Sequence, residues 1–130
     1  MASYTIMVID DIPDHRDVLR RVLQAVGYQV IESTSGAEAL QHARQSQPDL
    51  ILSAISLPGQ PAWESARQLH AQPDLAHMPI LATTMYRTLL STTRLQTLGC
   101  VDCIEKPFDL DMLLQRILLL LHDHQSERPA

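Results

Sequence analysis

Asp10, Asp11, Thr84 and Lys106 are the residues in this 130-residue sequence whose chemistry could be concentrated in one place. Asp10 and Asp11 end an apolar segment, Tyr4 to Ile9. Adjacent carboxylates suit a hard divalent cation, which prefers oxygen ligands. The Lys106 ammonium would balance clustered acids that otherwise repel one another, and the Thr84 hydroxyl could hydrogen-bond an oxyanion. Two aspartates at a strand end can equally cap a helix and face water, and alone Asp10 and Asp11 would mean no more than that. Their register with Thr84 and Lys106 changes the reading, because each follows a short apolar segment, as Ala54 also does.

The elements that must position these residues alternate along the chain. Tyr4 to Ile9 is a strand. Pro13 suits the first turn of a helix, whose apolar face is Val18, Leu19, Val22, Leu23 and Val26, and Gly27 ends it. Gln29 to Glu32 is a second strand. Ser35 with Glu38 signals a capping box for a helix carrying Ala39, Leu40 and Ala43. After Pro48, Leu50 to Leu52 form a third strand, and Leu57-Pro58-Gly59 is loop. A third helix is predicted from about Pro61 to His70, with Trp63 as a packing anchor. Ile80 to Thr83 is a fourth strand, Leu89, Leu90 and Leu98 mark a fourth helix, and Val101 to Ile104 is a fifth strand broken by Lys106-Pro107. Leu110, Leu113, Leu114, Ile117, Leu118 and Leu121 give the last helix. Residues 1–122 then form one domain and 123–130 a tail or the start of a linker.

Strict alternation implies an α/β domain: a doubly wound, five-stranded parallel sheet with right-handed crossovers and helices on both faces. The first and third strands read as fully buried and belong in the centre. In such open sheets a ligand site lies beyond the C-terminal strand ends, where the strand order switches. Asp10, Asp11, Ala54, Thr84 and Lys106 all fall there.

Composition narrows the function classes. The length suits one domain. The net charge is −5 and no basic stripe is present, which argues against nucleic-acid binding by this chain alone. Arg16, Arg20 and Arg21 share a helix and are read as a solvated face. The longest apolar run, Ile117 to Leu121, is far too short to span a membrane. Met1 to Ile9 has no basic start or cleavage pattern. Cys100 and Cys103 overlap a strand instead of opening a helix, so they are read as free thiols in a cytoplasmic protein. The six histidines are scattered and are read as surface residues.

Ile-Asp-Asp at 9–11, Pro-Asp-Leu-Ile-Leu at 48–52, Leu-Pro-Gly at 57–59, Thr84 and Glu-Lys-Pro-Phe at 105–108 together resemble the receiver domain of two-component response regulators. The likeness runs from about Ser3 to Leu121. It implies the flavodoxin-like (βα)5 fold with strand order 2-1-3-4-5. It also implies a carboxylate after the third strand that accepts a phosphoryl group from a histidine kinase, and Mg²⁺ held by Asp10, Asp11 and the Ile55 carbonyl. Thr84 would contact the phosphoryl oxygens, Lys106 would pair with the acidic centre, and Lys106-Pro107 would be cis. That set is what phosphoryl transfer needs: a nucleophile, a bridging cation and a counter-charge.

The acceptor position of that pattern is Ala54. A methyl group cannot form an acyl phosphate or ligate a metal, so Mg²⁺ binding is expected to be weak, no cofactor is required, and Lys106 has less reason to point inward. Met85 replaces a small residue and is expected over the pocket mouth. Gln60-Pro61-Ala62 replaces a Met-Asp-Gly loop, and Cys103 replaces an aromatic residue that moves with the Thr on activation. Ser53 is expected to face away from the pocket, and Ser56 has no evident base. The resemblance then implies a non-enzymatic, phosphorylation-independent signalling module with a histidine kinase or an output protein as partner. The expected contact face is helix four, strand five and helix five, with Met85, Tyr86, Leu89, Leu90 and Cys103, and a homodimer could use the same face. Two alternatives stay open: an ordinary receiver carrying Ala in place of its acceptor Asp, and a receiver-like sensor of a small molecule.

Overall fold

The computed structural model describes residues 4–56, 59–86 and 90–127, with side chains to residue 123. Five strands alternate with five helices: β1 (Thr5–Ile9), α1 (Pro13–Ala25), β2 (Gln29–Ser33), α2 (Gly36–Ser46), β3 (Leu50–Ala54), α3 (Pro61–Ala71), β4 (Ile80–Thr84), α4 (Thr92–Thr97), β5 (Cys100–Glu105) and α5 (Leu110–Glu127). The strands form one parallel sheet in the order β2-β1-β3-β4-β5. This is the expected arrangement, with β1 and β3 inside and β5 at an edge.

Side chains alternate across a strand, and two cores follow from that. Met7, Ile9, Ile51, Ile80 and Ala82 face one side of the sheet, against Ala39 and Ala43 of α2, Trp63, Ala66 and Leu69 of α3, and Leu95 of α4. Ile6, Val8, Leu50, Leu52, Leu81 and Ile104 face the other, against Leu19 and Leu23 of α1 and Leu113, Ile117 and Leu121 of α5. Trp63 is thus the packing anchor the sequence suggests.

Local chemistry sets the boundaries. Ser35 caps α2 by accepting from the Glu38 N–H at 3.3 Å. The return bond of the capping box is displaced by one residue: Glu38 Oε1 accepts from the Thr34 N–H at 3.2 Å. The α1 arginines are engaged rather than merely solvated, with Arg16 and Arg20 reaching Glu32 and Arg21 reaching Asp17.

Three boundaries differ from expectation by more than one residue. Ser53 and Ala54 continue β3, because they keep parallel partners in Ala82 and Thr83. The fourth helix begins only at Thr92, with Ser91 accepting from the Arg94 N–H at 3.1 Å; Leu90 precedes it and is buried, while Leu89 lies outside the described residues. Helix α5 runs to Glu127, so part of the segment read as a tail from residue 123 is helical. Among the described residues no helix is long and apolar enough to cross a membrane.

Candidate functional site

The C-terminal ends of β1, β3, β4 and β5 meet as the strand order requires. Ala54 lies opposite Thr83, and Thr84 opposite Glu105, immediately before Lys106. The Lys106 N–H donates to the Thr84 carbonyl at 2.7 Å, extending the ladder past the strand. The Lys106-Pro107 peptide is cis, as expected.

Asp10 does two jobs. The N-cap of α1 is Ile12, whose side chain cannot accept a hydrogen bond. Asp10 Oδ1 instead accepts from the Ile12 N–H at 2.9 Å, a turn suited to Asp. Its other oxygen, Oδ2, accepts from Lys106 Nζ at 3.0 Å. The Asp10 side chain is 2 % exposed and that of Lys106 is 12 % exposed. A carboxylate so buried needs a paired cation, and Lys106 supplies it. Lys106 therefore does point inward: with a methyl at position 54, it bonds Asp10.

Lys106 Nζ also lies 3.1 Å from His15 Nδ1, which is 3.9 Å from Asp10 Oδ2. His15 was not separable from the other histidines by sequence. The usable signal is its place in the first turn of α1, five residues after Asp10.

A cavity of about 300 Å³ opens at this edge, lined by Asp10, Asp11, Ala54, Ile55, Thr84 and Lys106 among others. Ala54 also lines a neighbouring cavity of about 310 Å³ that reaches the N-terminus of α2 at Ser35 and Gly36. The structure thus brings Asp10, Asp11, Ala54, Ile55, Thr84 and Lys106 together. Thr84 is 1 % exposed, and its Oγ1 accepts from the Tyr86 N–H at 3.0 Å, tying it to the loop after β4. Ser53 is buried and lines neither cavity. The Ser56 hydroxyl is buried and has no hydrogen-bond partner among the described residues.

The donor set does not fit a tight Mg²⁺ site. Such a site wants several anionic oxygens free to ligate. Both Asp10 oxygens are already engaged, Asp11 is exposed, and position 54 offers carbon. Among the described residues no three His, Cys, Asp or Glu side chains come together as metal ligands.

The expected contact face is only partly a surface. Met85 is 66 % exposed and is among the residues lining the cavity. Leu90 is 1 % exposed, so it is core and not contact surface. Tyr86 and Cys103 are half-buried against the α2/α3/α4 core. Val101 and Met112, which were not foreseen, are 55 % and 43 % exposed. Burial pushes the Cys100 thiol up to about 12. Cys100 and Cys103 form no disulfide with each other.

Comparison with known proteins agrees with this geometry. Residues 6–118 match the family model described as the response regulator receiver domain. The polar-differentiation response regulator DivK of Brucella ovis is 32 % identical over 119 residues, covering 92 % of this chain and 97 % of DivK. Among solved structures, the receiver domain of a signal transduction histidine kinase from Syntrophus aciditrophicus is 27 % identical, with a TM-score of 0.80, covering 98 % of this chain and 96 % of that one. The receiver domain of the sensor histidine kinase PA1611 from Pseudomonas aeruginosa is 25 % identical, also with a TM-score of 0.80, over 93 % of this chain and 99 % of that one; it was solved with a magnesium ion coordinated in its active-site cleft. The sheet order, the Asp10–Lys106 pairing at its switch point and these matches agree, and the chain belongs to the response regulator receiver domain family.

Proposed function

We propose that this receiver domain does not take a phosphoryl group at the usual position and signals through phosphorylation-independent protein binding in the cytoplasm. The observation that carries this reading is the Ala54 methyl on the wall of the cavity it shares with Asp10, Thr84 and Lys106. The Asp10–Lys106 bond supports it, since the counter-charge is already committed. Acyl-phosphate formation needs a carboxylate oxygen within reach of the donor phosphorus. Asp10 is held at both oxygens, and the Ser56 hydroxyl has no base beside it among the described residues.

The partner is a histidine kinase or an output protein, met at the edge formed by α4, β5 and α5. Met85, Val101 and Met112 are among the exposed apolar groups of these elements. Tyr86 and Cys103 contribute from half-buried positions, and Thr84 holds the adjoining loop without a phosphoryl group. Mg²⁺ at Asp10, Asp11 and the Ile55 carbonyl is weak in this reading, and no cofactor is required.

Incubation with acetyl phosphate and Mg²⁺, followed by intact-mass measurement, is expected to leave the chain unmodified. Beryllofluoride with Mg²⁺ is expected to leave its amide spectrum unchanged. A base-labile phosphoryl adduct, or large shifts around Thr84 and Lys106 with beryllofluoride, would overturn the reading.

A further inference from the structure

A second cleft, of about 480 Å³, lies on the other side of Lys106, between α1 and the segment joining β5 to α5. Its walls are apolar: Val18, Met85, Phe108 and Leu110. Three of these are markedly exposed, Val18 at 48 %, Met85 at 66 % and Leu110 at 37 %. Large apolar side chains gathered around a concavity mark a binding surface. The volume falls within the range of small-molecule sites.

His15 and Lys106 are the polar side chains that line this cleft, and among the described residues no carboxylate lines it. Lys106 carries three N–H donors and no acceptor. The 3.1 Å contact with His15 Nδ1 is therefore a bond donated by Lys106, with Nδ1 accepting. In the neutral ring this leaves the proton on Nε2. That Nε2–H has no protein acceptor among the described residues, and the His15 side chain is 42 % exposed. The one carboxylate in contact with Lys106, Asp10, is already neutralised by it.

We propose that this cleft binds an amphipathic organic acid, its apolar body against Val18, Phe108, Met85 and Leu110 and its carboxylate accepting from His15 Nε2–H beside the Lys106 ammonium. The His15 Nε2–H and the third Lys106 N–H are both donors, so a carboxylate with two acceptor oxygens is selected over an alcohol's single hydroxyl or a cationic head group. The site is separate from the Ala54 cavity, so it stands whether or not position 54 can be phosphorylated; Lys106 and Met85 form the ridge between the two.

Titration of the ¹⁵N-labelled full chain with sodium octanoate tests this, with 1-octanol as the uncharged control. Octanoate is expected to give saturable shifts at Val18, Phe108 and Leu110, with a Kd of about 1 mM or tighter. Val18→Asp, at an exposed wall position, is expected to weaken octanoate binding about tenfold or more. His15→Ala is expected to weaken octanoate severalfold and leave octanol unchanged, which a merely structural role for His15 would not do. The proposal is overturned by absence of saturable shifts, by octanol binding as tightly as octanoate, or by equal shifts at the exposed Leu118 and Leu119 far along α5. It is also overturned if a leucine-rich peptide containing Glu occupies the cleft while octanoate does not, since the occupant is then a protein partner.

Discussion

Lys106 and Asp10 show how a buried carboxylate and a single cation depend on each other. Asp10 is 2 % exposed and depends on Lys106 for charge compensation, while the Ile12 N–H holds its second oxygen. Removing the cation alone leaves a buried charge uncompensated, which costs about 3 kcal/mol or more. Lys106→Met should therefore destabilise strongly, measured by urea unfolding. Asp10→Asn keeps an acceptor for Ile12 and should cost less. The double variant should recover part of the Lys106→Met loss, giving a coupling of about 1 kcal/mol or more; additive losses would show that the pair contributes nothing as a pair. Cys100 gives a pH-dependent counterpart. Burial raises its thiol from 9.0 to about 12, the nearby Cys103 adding to the effect. Between those values the folded chain keeps a proton that the unfolded chain has lost, so this contribution is whole below pH 9 and fades as pH rises toward 12. The slope is about 1.4 kcal/mol per pH unit. Between pH 8.5 and 10.5 the parent chain should lose about 2 kcal/mol more stability than Cys100→Ala. Equal losses in the two proteins would show that Cys100 ionises freely in the fold.

The turn between α4 and β5 illustrates what a residue does for an element. Gly99 has φ +78°, and a Cβ built there would lie 2.4 Å from His70 Nδ1 at the end of α3. Two costs are superposed, a left-handed backbone that L-residues resist and a collision with an exposed ring. The ring can swing away, so the backbone cost should dominate. Gly99→Ala is expected to destabilise by about 1–2 kcal/mol, and adding His70→Ala should return little of it, as read by thermal unfolding. Full recovery in the double variant would assign the cost to the collision instead. Such turns were partly legible in the sequence: Gly27 was foreseen as the end of α1, and it has φ +99°. The start of α4 was not, because Leu89 and Leu90 imitate a helical apolar pair, whereas Leu90 is buried ahead of the Ser91 cap. The end of α5 was missed for the opposite reason. Beyond Leu121 the residues are polar, so periodicity stops while the backbone continues to Glu127. At the site, Asp10, Asp11, Ala54, Thr84 and Lys106 were found because each follows an apolar strand, a pattern chain order alone can show. His15 and the inward turn of Lys106 were not, because both depend on which partner a polar side chain finds in three dimensions.

At the scale of the molecule, the sheet separates two cores, and the polar edge is where neither core can close over the strand ends. The cores lie behind that edge: Met7, Ile9 and Ile51 on one face, and Ile6, Val8 and Leu52 on the other, are buried. Ligand linkage gives a whole-molecule test of that separation. Any cation that binds the folded chain alone raises its stability by RT ln(1 + [L]/Kd). With Asp10 committed to Lys106 and no third carboxylate, millimolar Mg²⁺ should leave the parent Tm unchanged beyond a NaCl control of equal ionic strength. Ala54→Asp restores an acidic side chain beside Asp10, Asp11 and Lys106. Without metal, the added charge should repel its neighbours and lower the Tm. With Mg²⁺ at about ten times its Kd, the gain should be about 1.4 kcal/mol, or roughly 4–7 °C for a domain of this size. Opposite signs in the two conditions are the informative outcome, because a substitution that merely repacks the strand end would shift the Tm equally with and without Mg²⁺. If the parent chain shows the same Mg²⁺-dependent rise as Ala54→Asp, Asp10 and Asp11 suffice for the metal, and the commitment of Asp10 to Lys106 is not what the geometry implies.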